Sequence, residues 1–226
     1  MSNELRSNGH DVVLIANGTK SEIDTALLTG GYDLFYHSGH GCEYLTTTYE
    51  YEDLYWINGT CGEHLHTDTD IGVLPEKKVY LLSCLCGTSL VPYIGGLGGS
   101  IAGYITEFSW VAKPPYVPGG AGDIYSKWFF DTANKYMKEI ANGSTPQEAY
   151  NRTIEAFQAA ITYWENSTDV LAPLCVTLLI QDMRALIAYH NRERMAIMTG
   201  AEGAPPTALL ILGIPLLVGG YLIMKR

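Results

Sequence analysis

Short apolar runs alternating with stretches of helical period predict an α/β fold, a mostly parallel sheet covered by helices on both faces. Three observations carry that expectation. Four short runs, DVVLIA, YDLFY, KVYLLS and SIAGYIT, recur along the first half of the chain. A capping box with proline at the first helical position, Thr145-Pro146-Gln147-Glu148, opens a long helix in the second half. The 226 residues are 47% hydrophobic and only 17% charged, which excludes general disorder and allows one domain with a real core.

In chain order, Asp11 to Ala16 reads as a short buried strand and Ser21 to Leu28 as a short helix. Tyr32 to Tyr36 is a second strand, ending at His37-Ser38-Gly39-His40-Gly41. Residues 42–77 are polar and aromatic without a steady period, and read as a long loop. Lys78 to Ser83 is a third strand, ending at CLCGTS; Ser89 to Leu97 is a short helix and Ser100 to Thr106 a fourth strand. Asp123 to Ile140 is amphipathic and stops before Asn142-Gly143, and the capped helix runs on to about Trp164. The apolar run Leu171 to Ile180 is short enough for a last buried strand. The resulting division is a domain over 1–190, a linker over 191–206 and a membrane span over 207–224.

That span, TALLILGIPLLVGGYLIM, carries no charge and is followed at once by Lys225-Arg226. Eighteen helical residues reach about 27 Å, close to the thickness of a bilayer core. Basic residues after it favour a cytoplasmic C-terminus and an extracellular domain; Arg184, Arg192 and Arg194 upstream pull the other way. Sequons at Asn17, Asn58, Asn142, Asn151 and Asn166 favour a glycosylated exterior protein. Lys and Arg total 14 against 24 Asp and Glu, so there is no basic stripe for nucleic acid.

His40 and Cys84 each fall just past the end of a separate predicted strand, where ligands bind in open parallel sheets. Cysteine chemistry needs a thiolate, a base beside it and donors for an oxyanion. Cys84 is then the nucleophile and His40 the general base and acid. The backbone N–H groups of Gly41 and Cys84 are placed to stabilise a tetrahedral oxyanion. Glu43 and Glu107 follow strand ends and are candidates to line a substrate pocket that would take Arg or Lys, with Trp110 or Phe108 as its wall.

These two motifs resemble the caspase–legumain–gingipain clan of cysteine peptidases, closest to gingipain-like and CHAT-like domains. Leu34-Phe35-Tyr36 leads to His37-Ser38-Gly39-His40-Gly41, and Val79-Tyr80-Leu81-Leu82 leads to Ser83-Cys84-Leu85-Cys86-Gly87 with the clan's Cys-x-x-Gly spacing. The 44 residues from His40 to Cys84 are near the roughly 50 typical of caspases. The resemblance covers about residues 9–190. It implies a caspase-like three-layer sandwich, a Cys–His dyad with no cofactor, and protein or peptide substrates. Nothing here matches the clan's first strand, so the domain is expected to be N-terminally truncated and to lack it.

Other readings compete. Cys86 is a rival nucleophile without the Cys-x-x-Gly spacing, and His37 reads as a structural neighbour. With Cys84 as a thiol, Cys42, Cys61, Cys86 and Cys175 are able to form two disulfides. Cys42, Cys61, His64 and His66, with His37 and His40, offer ligands for zinc, and Asp68 and Asp70 for calcium. A catalytically degenerate binding domain and a zinc-binding, membrane-anchored domain are therefore the alternatives to an endopeptidase.

Overall fold

The computed structural model describes residues 2–15, 20–29, 32–38, 41–42, 56–58, 64–67, 74–112, 123–196 and 222–225. In chain order they form α1 (Ser2–Ser7), α2 (Lys20–Thr29), β1 (Leu34–Ser38), β2 (Gly41–Cys42), β3 (Trp56–Asn58), β4 (His64–Thr67) and β5 (Lys78–Leu82). Then come α3 (Leu90–Gly96), β6 (Ser100–Tyr104), β7 (Ser109–Ala112), α4 (Ile124–Ala133), α5 (Lys135–Ala141) and α6 (Pro146–Glu165). The remainder is α7 (Ala172–Ala185), β8 (Leu186–His190), β9 (Glu193–Arg194) and β10 (Leu222–Lys225), with 3-10 turns at Leu74–Glu76 and Cys86–Thr88.

The main sheet has the order β1-β5-β6-β8-β9. β1, β5 and β6 are parallel; β8 and β9 add antiparallel strands at one edge, so the sheet is mixed. Its two faces follow from the alternation of side chains along each strand. Tyr80, Leu82, Ala102, Tyr104, Leu186 and Ala188 face a core built with α4 to α7. Val79, Leu81, Ile101 and Ile187 face a second core built with Ile23 and Leu27 of α2 and with Leu90, Val91 and Ile94 of α3. The α/β expectation thus holds, with helices on both faces.

Several expected elements differ. Asp11–Ile15 form no strand, and Val13 and Leu14 are exposed; among the described residues β1 has no neighbour on its outer side, and a strand without a ladder partner is not stable. The expected loop contains a three-stranded antiparallel sheet, β2-β3-β4. The run 171–180 is helix rather than strand. Its buried residues Ala172, Cys175, Leu178, Leu179, Asp182 and Ala185 repeat at helical spacing. The last buried strand is β8, after it. Residue Met195 is buried in the main core, which carries the domain past residue 190. Of the expected membrane span, residues 207–221 lie outside the described residues, and Leu222–Met224 belong to a strand rather than a helix. Among the described residues no helix is long and apolar enough to cross a membrane.

The expected helix 123–140 is two helices meeting at Asn134. The Tyr80 hydroxyl donates to the Ala133 carbonyl (2.7 Å) at this junction and lies 3.1 Å from the Tyr104 hydroxyl. Tyr36 donates to the Asn134 side chain at 2.9 Å. Two tyrosines of adjacent strands, Tyr36 and Tyr80, thus anchor the break to the sheet, with Tyr104 beside Tyr80. The capping box at Thr145 forms as expected.

Glu139 on α5 is buried with Lys135, Arg152 and Ser144 as partners. Burial pushes its carboxyl up, but hydrogen bonds from Lys135, Arg152 and Ser144 outweigh this and hold the pKa at about 2. The folded value lies below the ordinary 4.5, so the contribution is whole above that pH and is lost as pH falls toward 2. Both cations remain half-exposed, which screens the network. Glu139→Gln is expected to cost on the order of 1–2 kcal/mol at pH 7. Urea titrations at pH 7 and pH 3 should show that difference shrinking in acid.

Candidate active site

β1 and β5 are hydrogen-bonded neighbours in parallel register, with Ser38 across from Leu82. The chain therefore leaves both strands at the same end and the same level. Cys84 comes two residues after Leu82, and His40 two residues after Ser38 in sequence. Cys84 lies just past the carboxyl end of β5, as expected. His40 and Glu43 lie outside the described residues, as do Cys61, Asp68 and Asp70. Gly41 opens β2, opposite Ile57 of β3.

Backbone contacts hold the Cys84 turn. Leu85 adopts the left-handed region, φ 63°, which costs a branched side chain energy and is found where a structure over-determines it. Its N–H donates to the Thr106 carbonyl (3.1 Å), and its carbonyl accepts from the Thr88 N–H and hydroxyl. Gly87 explains the glycine of the Cys-x-x-Gly motif. A Cβ there would stand 2.6 Å from the Tyr104 carbonyl carbon and 2.7 Å from the Ile105 nitrogen. The turn after the thiol is pressed directly onto the end of β6, and only hydrogen fits.

Cys84 is 4% exposed. Burial pushes its thiol pKa up; the Phe108 backbone N–H favours the thiolate, while Glu107 and Asp182 oppose it. Within this surrounding the sulfur rests as a thiol, and a nucleophile would need a base to take its proton. Cys86 is buried in the core on the α3 face and Cys175 in the core on the other face. Both are thiols, so the expected pairing of Cys86 or Cys175 in disulfides is not seen. His37 is buried in β1, its ring 6.5 Å from that of Phe35, in keeping with a structural role.

The segment after β6 is clamped to α7. Ile105 N–H donates to the Ala185 carbonyl (2.8 Å), the Gln181 amide to the Glu107 carbonyl (3.4 Å), and Ser109 N–H to Asp182 Oδ1 (3.2 Å). Glu107 is partly exposed and near enough for its charge to act on Cys84. Trp110 is fully buried among Phe108 and Phe130, a core ring rather than the wall of an open pocket. Phe108 is likewise buried.

Asp182 was not singled out as functional by sequence reasoning, although an acid in the apolar stripe of a helix is a visible signal. It is fully buried and burial drives its pKa well up. Oδ1 has one N–H donor, and Oδ2 has no hydrogen-bond partner among the described residues. A carboxyl so placed keeps its proton. Among the described residues no group of three or more side chains is arranged to hold a metal ion; for Cys42, His64 and His66 only the backbone is described.

No protein-family model, curated protein or solved structure matches the chain.

Two outcomes follow from this packing. Gly87→Ala should destabilise by about 1–3 kcal/mol through the forced backbone shift, whereas Gly96→Ala, with nothing within 4 Å, should stabilise by about 0.5–1 kcal/mol. Denaturant unfolding of both variants makes the comparison. For Asp182 the folded pKa is raised, so wild-type stability falls as pH rises above the ordinary 3.8. Asp182→Asn should therefore gain on wild type between pH 4 and 7, and Asp182→Ala, which strands the Ser109 N–H, should lose about 1–3 kcal/mol. Unfolding curves at both pH values test it.

Proposed function

We propose that the protein is a cysteine endopeptidase with a caspase-like three-layer architecture. His40 takes the Cys84 proton, and the thiolate attacks the scissile carbonyl carbon. The carbon–nitrogen bond then breaks as His40 returns the proton to the leaving amine. Water attacks the resulting thioester, giving up a proton to His40, and the peptide acid leaves with Cys84 restored as a thiol. Backbone N–H groups of Gly41 and Cys84 stabilise the oxyanion in both halves.

One observation carries this reading: two motifs distant in sequence emerge from neighbouring parallel strands, the cysteine and the histidine each two residues beyond the paired residues Ser38 and Leu82. The raised thiol pKa, with burial as its largest cause, supports a need for a base to take the proton. The apolar tail that includes 207–224 anchors the domain to a membrane, with the domain outside. The exposed sequon asparagines Asn142 and Asn166, each capping a helix end, are open to the glycosylation such a topology brings.

The burial of Cys84 favours a second reading, a catalytically degenerate binding domain. Native membranes treated with peptidyl acyloxymethyl ketones of varied P1 residue separate the two. Peptide mapping should find the label on Cys84, lost in His40→Ala and dependent on P1. An unlabelled Cys84 in the intact protein would leave the degenerate domain.

A further inference from the structure

β7 stands apart from the main sheet, and its only ladder partner among the described residues is β10, the chain's own C-terminal segment. The pairing is antiparallel over four residues: Ala112 with Leu222, Val111 with Ile223, Trp110 with Met224 and Ser109 with Lys225. The Ser109 N–H is given to Asp182 on the other side. Since successive residues of a strand turn their polar groups to opposite edges, those of Trp110 and Ala112 face β10. The edge leads straight to the reactive centre, because the residue before Ser109 is Phe108, whose N–H meets the Cys84 sulfur.

We propose that the chain's own segment Leu222–Lys225 occupies this edge of β7 as an internal competitor, in the place where extended peptide would add as a strand. The sequence Ser-Trp-Val-Ala has no charge and no proline to guard an edge, so the edge invites a partner. The register sets Lys225 across from Ser109, two residues along the chain from Glu107, so the occupant carries a cation where β7 is preceded by an acid. A peptide laid along β7 in the place of β10 runs antiparallel to it and ends beside Cys84. While β10 is docked, that place is taken.

The use of this edge by substrate rests on the peptidase reading; the strand site itself does not. Hydrogen exchange on the full-length protein, wild type against Met224→Pro, tests the site, because Met224 is paired with Trp110, whose polar groups face β10. Proline removes a ladder donor, and the amides of Trp110 and Ala112 should exchange about tenfold faster, with the peptide Leu-Ile-Met-Lys added in trans restoring protection. Unchanged exchange in the variant, or no protection by the peptide, overturns the proposal. The same pair of proteins is labelled with a peptidyl ketone and with iodoacetamide. Peptidyl labelling of Cys84 should rise in Met224→Pro by more than iodoacetamide labelling does. An equal rise in both would show that β7 guides no peptide to the thiol, and the proposal would fall. Should neither reagent reveal a His40-dependent thiol while the exchange results hold, the peptidase reading fails and the strand site stands. Ile223→Asp serves as a second variant, and thermal melts confirm that each is folded.

Discussion

Ser38 faces Leu82 across a parallel ladder, and the placement of everything chemical in this protein depends on that register. A shift by one residue would turn every side chain of β1 to the other face and move one motif relative to the other. The register is fixed from both faces of the sheet. Tyr36 and Tyr80 project toward the helical break at Asn134, where their hydroxyls find an amide and a carbonyl. Phe35 and Val79 project into the opposite core. β5 is the most constrained strand, with Val79, Tyr80, Leu81 and Leu82 all buried. A rigid strand ending in a tight turn is the kind of support a positioned nucleophile requires.

Beyond β5, it is main-chain atoms of the turn and of 105–109 that are held, in part by side chains of α7. The left-handed Leu85, the glycine-sized gap at Gly87 and the three hydrogen bonds from 105–109 to α7 all act on main-chain atoms. The electrostatics of this packed corner disfavour charge. Burial raises the thiol of Cys84, the carboxyl of Asp182 and the phenols of Tyr80 and Tyr104 alike. In each case burial disfavours the charged form, so on the proposed reading a base would have to be brought to Cys84 before it reacts. Asp182 fits this logic: ionised, it would oppose a thiolate at Cys84; protonated, it does no more than hold Ser109.

Much of this was legible in the sequence, for identifiable reasons. KVYLLS and SIAGYIT read correctly because a strand buried on both faces is a bare apolar run, and Thr145 to Glu148 because a capping box is local chemistry. The end of β5 at Cys84 followed from the same run. DVVLIA misled because propensity does not supply a ladder partner. Leu171 to Ile180 misled because its length suited a strand, while its buried positions, followed on to Asp182 and Ala185, had helical period. The roles of Gly87 and Asp182 were hidden, since both depend on atoms of β6 and β7 that approach from elsewhere in the chain. The pairing of β7 with β10 spans more than a hundred residues and leaves no local signature.

That last pairing sets two fates for the tail against each other. If Leu222–Met224 lie in a ladder with β7, the apolar stretch before them is 207–221, fifteen residues. As a helix it would reach about 22 Å, short of the roughly 30 Å of a bilayer core. A span of full length needs Leu222–Met224 back. The docked strand and the complete membrane helix therefore compete for the same three residues. Four paired residues at an edge stand against the burial of three large apolar side chains, Leu222 to Met224, in lipid, at about 0.8 kcal/mol per buried CH₂. On the proposed membrane reading, insertion of the tail would withdraw β10 and leave the edge of β7 open beside Cys84, so that the segment proposed as an anchor would close the proposed site when no bilayer is present.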